Sequence, residues 1–489
     1  MMRERVVESV KGKRVLVMGL GRFGGGVGVS KWLVEQGAIV TVNDAASAEE
    51  LKESIALLDG LPVTFKLGGH VLEDFLAADL LVLNPAVDKQ ANEVVREALK
   101  RGIPYTTEMN LFVERCRGFT IGVTGSVGKS TTTTLIYEAL RHCRLPIAYC
   151  LLEEGAGNRQ SAIGNGKSPR VFLGGNIGKS LLSELPQIGA QDIVVLELSS
   201  FMLEETPRVS GGGWSPNIAV VTNVFPNHLD RHHTMAEYSA AKQNILKFQQ
   251  PGDVAVLNND HELVSRWTHF ARPGVKVVKY TTRGPHGKME LVIPGEHNQS
   301  NAAAAVAVVD ALPMQIDRAA AMEAIQNFPG LAHRLALVHS REIGGGEKKR
   351  TLRFYNDSKA TSPDASITAL LAFEAGTAVF IVGGYDKHID LSAFESLLAE
   401  RAGGVIGIGQ TGQAMVDRVR AAGGPLPAER VVYAETLEKA VPLGVAWAEA
   451  SEKIAAVVLS PASASWGQFA NYEKRGERFI EISRAQQSR

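Results

Sequence analysis

Short apolar runs alternate with longer amphipathic stretches along most of this chain. Arg14–Met18 reads as a strand, Val27–Gln36 as a helix and Ala38–Val42 as a second strand, with Leu80–Leu83 and Tyr105–Thr106 as later strands. Strands separated by helical stretches specify a parallel sheet with helices on its faces. The rhythm restarts with the apolar segment at Phe119 and runs through Val194–Leu196, Ala219–Val221 and Ala255–Leu257 to helices near Asn301–Leu312 and Ala319–Phe328. It restarts again with Leu352–Tyr355, Ala378–Val382, Val405–Ile408, Val431–Tyr433 and Ala456–Leu459. Between the second and third series, Phe328-Pro329-Gly330-Leu331-Ala332-His333-Arg334 carries the Pro and Gly that stop a helix, and a hinge is expected there. Glu153–Arg170, rich in Gly, Ser and Asn, and Gly344–Arg350 read as surface insertions.

Composition narrows the class. The 489 residues are 45% apolar and 21% charged, ordinary for a globular protein and long enough for about three domains. Lys plus Arg and Asp plus Glu both number 52, so there is no global attraction for nucleic acid or an anionic membrane, and any anion site is local. Cys116, Cys143 and Cys150 form neither a disulfide framework nor a zinc-type spacing, which fits a reducing cytosol. No signal-peptide core follows Met1, and no run approaches the roughly eighteen apolar residues of a membrane span. A cytoplasmic protein with no nucleic-acid or membrane partner is expected.

Phe119–Thr131 carries the most chemistry. An apolar strand runs into Gly125-Ser126-Val127-Gly128, and Lys129-Ser130-Thr131 opens a helix. Backbone N–H groups of such a turn and helix start face anionic oxygens, and Lys129 adds a full charge. Ser130 or Thr131 would share a Mg²⁺ with the phosphates. The strict P-loop pattern has Gly where Val123 stands, so an ordinary turn is the plain alternative. Gly19-Leu20-Gly21-Arg22-Phe23-Gly24, with Asp44 at the end of the next strand, matches a dinucleotide fingerprint. By itself it admits NAD, another nucleotide or a structural turn. Glu197, closing an apolar strand, suits Mg²⁺ or an ordinary ion pair. His228-Leu229-Asp230-Arg231-His232-His233 suits a metal or a surface loop, and Lys242 reads by default as a solvated helical lysine. Asn356–Thr361, Gly383–Lys387 and Ser460–Trp466 each follow a strand, where open α/β sheets place their ligands.

In order, these elements resemble the Mur ligases, ATP-dependent amide-forming enzymes of peptidoglycan precursor synthesis, over nearly the whole chain. Thr124–Thr131, Gly174-Gly175-Asn176-Ile177-Gly178, Glu197-Leu198-Ser199-Ser200, His228-Leu229-Asp230-Arg231 and Gly295–Ala302 resemble the central-domain signatures, and His333-Arg334 the hinge. The third-domain loops are most similar to those of members that add D-glutamate. The resemblance implies a three-domain α/β fold: a Rossmann-like UDP-substrate domain (1–117), a central P-loop ATPase domain (118–332) and a Rossmann-like amino-acid domain (333–489). It implies ATP and two Mg²⁺ ions, with UDP-N-acetylmuramoyl-L-alanine and D-glutamate as substrates, an acyl-phosphate intermediate and a monomeric enzyme. Lys129, Glu197, His228 and Lys242 become catalytic, and Ser130, Glu197, His228 and a carbamylated Lys242 become metal ligands. Gly125–Thr131, Asn301, Arg334 and Asp357 would hold ATP. Leu20, Arg22 and Asp44 would meet the UDP group, Asn176 and Ser199 the muramoyl-alanine part, and Thr361, Lys387, Ser465, Trp466 and Tyr472 the D-glutamate.

Several residues depart from the family pattern. Val127 stands where Asn is usual in the phosphate loop, Asn227 where Asp precedes the His, Ala332 where Pro precedes His-Arg, and Ala86 in Asn84-Pro85-Ala86 where Gly is usual. The rival expectations are a sister ligase that adds another amino acid or L-glutamate, and a nicotinamide-dependent oxidoreductase.

Overall fold

The computed structural model describes residues 9–21, 25–143, 168–283, 288–344, 346 and 349–486. The chain forms two compact units, Met1–Gly287 with Ser300–Ile325, and Lys288–Gln299 with Gln326–Arg489. The first unit holds two sheets. β1 (Arg14–Met18), β2 (Ile39–Asp44), β3 (Val63–Leu67), β4 (Leu80–Leu83) and β5 (Tyr105–Thr106) pair in the order β3-β2-β1-β4-β5, all parallel. β6 (Phe119–Thr124), β7 (Val171–Gly175), β8 (Ile193–Glu197), β9 (Ile218–Val221), β10 (Val254–Asn258) and β11 (Lys276–Tyr280) pair in the order β11-β10-β9-β6-β8-β7, again all parallel.

The second unit carries β12 (Ala336–Ile343), β13 (Arg350–Asn356), β14 (Ala378–Val382), β15 (Gly404–Ile408), β16 (Val431–Glu435) and β17 (Ala456–Leu459) in the order β12-β13-β17-β14-β15-β16. Only β12 runs antiparallel to its neighbour. The α/β architecture expected from the alternation is present. Four strands escape the apolar pattern: β3, β7, β11 and β12, each an edge strand of its sheet. Central strands are buried throughout, as in β8 and β14, and read as apolar runs. Edges are half exposed, as in Val63–Leu67 and Lys276–Tyr280, and admit Lys and Thr that disguise them.

One apolar cluster joins the two sheets of the first unit, running from Val17 and Trp32 to Leu182, Leu196 and Tyr238. In the second unit alternate residues of the central strands feed opposite faces, Phe380 and Val458 into one cluster and Val379, Ile381 and Val457 into another. The expected hinge, Phe328–Arg334, lies wholly inside the second unit. There Leu337 donates to the Pro329 carbonyl and Lys359 to that of His333. The insertion at Glu153–Arg170 falls mostly outside the described residues, as do Cys150 and Arg22.

A buried carboxylate pins the first sheet to the second. Glu205 accepts from Lys89 Nζ at 2.6 Å and from the Tyr105 hydroxyl at 3.0 Å, and Arg208 lies 3.6 Å away. Burial and this carboxylate push the Tyr105 phenol well above its ordinary range. Removing one partner of a buried pair leaves the other desolvated and unpaired. Glu205→Ala should therefore lower the unfolding free energy by about 3 kcal/mol, read from urea midpoints. A loss below about 0.5 kcal/mol would show that the pair contributes nothing to the fold.

Candidate active site

The phosphate loop leaves β6 between β8 and β9, and register places Val123 beside Glu197 and Thr124 beside Val221. Two glycines are sterically required. A Cβ on Gly125 would lie 1.9 Å from Thr222 Oγ1, and one on Gly128, whose φ is +81°, would lie 2.3 Å from Asn301 Oδ1. Gly128 caps the helix Lys129–His142, so the first N–H groups of that helix, those of Lys129, Ser130 and Thr131, lie at the loop. Asn301 Oδ1 also accepts from the Thr132 hydroxyl at 3.1 Å.

The loop tip is shaped by a residue that sequence reasoning passed over. Asn223, two residues past β9, accepts through Oδ1 from the N–H groups of Ser126 (3.0 Å) and Val127 (2.9 Å), and its Nδ2 donates to the Val127 carbonyl at 3.0 Å. Val127 is held by its backbone while its side chain is 59% exposed. Strand order was the missing signal: Asn223 follows the strand adjacent to β6. Ser126 Oγ accepts from the Phe225 N–H, donates to its carbonyl, and lies 3.0 Å from the Tyr238 hydroxyl. Lys129 Nζ donates to the Ser126 carbonyl at 3.0 Å.

Lys242 is not the solvated lysine of the default reading. It is 1% exposed, donates to the Gly125 carbonyl at 2.8 Å, and sits over the Tyr238 ring. Burial, with Lys129 nearby, lowers its ammonium to about 7, against the opposing pull of Glu197. Glu197 is likewise buried at the end of β8. Its Oε1 accepts from Asn176 Nδ2 at 2.8 Å, whereas Oε2 is buried without a partner. Gly175 makes that contact possible, because a Cβ there would lie 2.2 Å from the Glu197 carbonyl.

The histidine run divides. His228 is exposed, with φ +54°, beside the rings of Phe201 and Tyr238. His232 is buried, stacks on Phe201 and bonds to Ser200 Oγ; burial lowers its imidazole to about 4. Among the described residues no three His, Cys, Asp or Glu converge as a metal cluster. The Ser199 oxygen caps the helix Ser200–Glu205 by accepting from Met202 N–H.

At the glycine turn after β1, Asp44 Oδ2 accepts from the N–H groups of Leu20 and Gly21 at 2.8 and 3.2 Å. The amides with which a Rossmann turn would hold a pyrophosphate are thus taken by the chain's own carboxylate. Leu20 is fully buried, and its carbonyl accepts from the Gly26 N–H at 3.1 Å.

In the second unit, register aligns Asn356 and Ile381 with Leu459, so the loops after β13, β14 and β17 leave at one level. Gly383 donates to the Pro461 carbonyl and Tyr385 to that of Ala464. Asp357 accepts from Ser460 Oγ at 2.8 Å and from the Leu335 N–H at 3.0 Å. Lys387 Nζ lies 5.0 Å over the exposed Trp466 ring, and Tyr472 packs against His333. Thr361 is half-buried, Ser465 is buried and Arg334 is exposed.

Residues 13–107 match the family model "Mur ligase MurD-like, N-terminal domain", and residues 123–291 match "Mur ligase middle domain". The UDP-N-acetylmuramoylalanine–D-glutamate ligase of Acetivibrio thermocellus is 34% identical over 503 residues, covering 97% of each chain. The chain belongs to the Mur ligase family. The ligase of the same name from Symbiobacterium thermophilum is 36% identical over 495 residues, covering 94% of this chain and 97% of that one. Among solved structures, the MurF ligase of Thermotoga maritima in complex with ADP is 17% identical with a TM-score of 0.49, covering 99% and 98%. Mur ligases are ATP-dependent enzymes that form carbon–nitrogen bonds. Among the described residues of this Mur ligase, no helix is long and apolar enough to cross a membrane.

One titration of this Mur ligase is set by burial. Asp357 is pushed up to about 7, with Ser460, the Leu335 N–H and Arg334 opposing. A carboxyl whose folded pKa exceeds its unfolded value holds a proton that the unfolded chain has released, so stability falls as pH rises from about 4 to about 7. Asp357→Asn removes that loss. Its stability relative to the native protein should improve between pH 4.5 and pH 7.5 in denaturant titrations. A difference that does not change with pH would contradict the assignment.

Proposed function

We propose that this Mur ligase joins D-glutamate to UDP-N-acetylmuramoyl-L-alanine at the expense of ATP. The supporting observation is full-length likeness to ligases of that name at 34–36% identity, with the Thr361, Lys387 and Ser465 loops gathered at one sheet edge. The division of labour follows the sequence: 1–117 for the UDP part, 118–332 for ATP and 333–489 for the amino acid. The enzyme is a cytoplasmic monomer.

A carboxylate is a poor electrophile, so the terminal L-alanine carboxylate first attacks the γ-phosphorus, forming an acyl phosphate and releasing ADP. The N–H groups of Lys129, Ser130 and Thr131 and the Lys129 ammonium, which rests on the Ser126 carbonyl, face the phosphates and spread the charge of the transferring group. The D-glutamate amine then attacks the acyl carbon, loses a proton, and phosphate departs with one former carboxylate oxygen. Lys387 receives one carboxylate of the incoming amino acid. Asn301, Arg334 and Asp357 are assigned to the nucleotide by resemblance, and Asn176 and Ser199 to the muramoyl-alanine part.

The residues present fit magnesium. Glu197 Oε2, buried and unpartnered, suits one ion together with Ser130. His228 suits a second, together with Lys242 once its amine has added carbon dioxide. A lysine near 7 is substantially neutral at physiological pH, the form that carries out that addition. Bound magnesium would neutralise phosphate charge and polarise the oxygens being exchanged.

The test is phosphate release with UDP-N-acetylmuramoyl-L-alanine and ATP across a panel of D- and L-amino acids. Turnover should require D-glutamate; turnover with L-glutamate or another amino acid alone would overturn the reading. Lys242→Ala should lose at least about a thousandfold in kcat, with partial recovery in formate or another short carboxylate. Full activity without rescue would remove the carbamate from the account. Lys387→Ala should raise the KM for glutamate by about tenfold or more, since it loses a charged contact, and an unchanged KM would remove that role.

A further inference from the structure

We propose that Arg475 is a positioning residue for the amino-acid site, and that its charge is left unpaired so that the site favours a ligand with two carboxylates. The proposal deepens the functional reading above and rests on it. Arg475 lies in the first turn of the helix Tyr472–Ala485 and is 1% exposed. Nε donates to Ser358 Oγ at 2.9 Å, and Nη2 to the carbonyls of Ser358 and Ser463 at 2.9 and 3.0 Å. Nη1 donates to the Ala464 carbonyl at 3.1 Å. The third loop closes over the same group, since a Cβ on Gly384 would lie 3.0 Å from Nη1. One guanidinium thus touches all three loops: Ser358 precedes Thr361, Gly384 precedes Lys387, and Ser463-Ala464 precedes Ser465.

Every one of these acceptors is neutral. Among the described residues no carboxylate pairs with Arg475, although buried arginines are ordinarily paired. Burial accordingly lowers its pKa to about 9, which still leaves it charged at neutral pH. A neutral side chain could fill the same space without desolvating a charge. What the charge supplies is a positive potential at the roots of the three loops, in a dry environment where salt screens little. With Lys387 at the rim, two cations face a substrate expected to bring two carboxylates. A purely structural staple would use the same four hydrogen bonds, so the test must separate charge from geometry.

Ser358→Asp places a carboxylate against Nε and neutralises Arg475, while losing the hydrogen bond that Ser358 Oγ donates to the Tyr472 carbonyl at 2.8 Å; Ser358→Asn is its neutral counterpart. In the full-length enzyme, with both variants shown folded by thermal unfolding, Ser358→Asp should raise the KM for D-glutamate on the order of tenfold above that of Ser358→Asn, with the KM for ATP within about twofold. Inhibition by glutarate should weaken by the same factor, and inhibition by its half-amide, glutaramate, by less. Arg475→Lys, which keeps the charge but not the fork, should retain more glutamate affinity than Arg475→Gln. Equal glutamate KM values for the two Ser358 variants, or equal losses for glutarate and glutaramate, would overturn the proposal. Native enzyme that turns over without D-glutamate dependence would instead overturn the functional reading beneath it.

Discussion

A parallel sheet buried on both faces can offer its loops to a ligand only along the carboxyl ends of its strands, and each site of this protein obeys that constraint. β6 lies between β8 and β9, so the phosphate loop emerges beside Glu197 on one side and Asn223 on the other. In the second unit β17 lies between β13 and β14, which brings residues far apart in sequence to one edge. The loops must then pack where backbones nearly touch. Gly125, Gly128 and Gly175 occupy positions where a single added carbon would collide with Thr222, Asn301 and the Glu197 backbone.

The second common element is charge held out of water without full compensation. Lys242 rests on a neutral carbonyl, Glu197 keeps one oxygen unbonded, and Asp357 and Arg475 accept from or donate to neutral groups. Each arrangement weakens the fold, since hydrogen bonds to neutral partners only partly replace hydration. All four stand on or beside the loops assigned to ligands. On the proposed reading, each such group awaits what a ligand would bring: a cation for Glu197, carbon dioxide for Lys242, anions above Arg475. Stability given up at these points is the usual accompaniment of a preorganised site.

How much of this was legible in the sequence depended on burial. The interior strands show as apolar runs because both faces are covered, whereas β3, β7, β11 and β12 are edges whose mixed sequences resemble loops. The phosphate loop was legible because its chemistry is local, fixed by Gly128, Lys129 and the strand before them. Asn223 and Arg475 were not, because their roles come from strand order and from a helix end folded onto loops more than a hundred residues away in the case of Ser358. Lys242 read as a solvated helical lysine until the family resemblance changed the expectation, and its burial rules the solvated reading out. Val127, the odd residue of the phosphate loop, acquires an account: Asn223 binds its backbone, so the loop's shape makes little demand on that side chain. At the fingerprint turn Asp44 accepts from the Leu20 and Gly21 amides, a contact set by the fold of β1 against β2 that the spacing alone does not show.

The central claim is that the phosphate loop activates a carboxylate for amide formation rather than hydrolysing ATP or binding a nicotinamide. Transfer of oxygen tests it directly. UDP-N-acetylmuramoyl-L-alanine labelled with oxygen-18 in its alanyl carboxylate is incubated with the enzyme, ATP and D-glutamate, and the released phosphate is examined by phosphorus NMR or mass spectrometry. The account predicts that a carboxylate-derived oxygen appears in the phosphate formed with each amide bond. Amide-linked phosphate release carrying no label would contradict it.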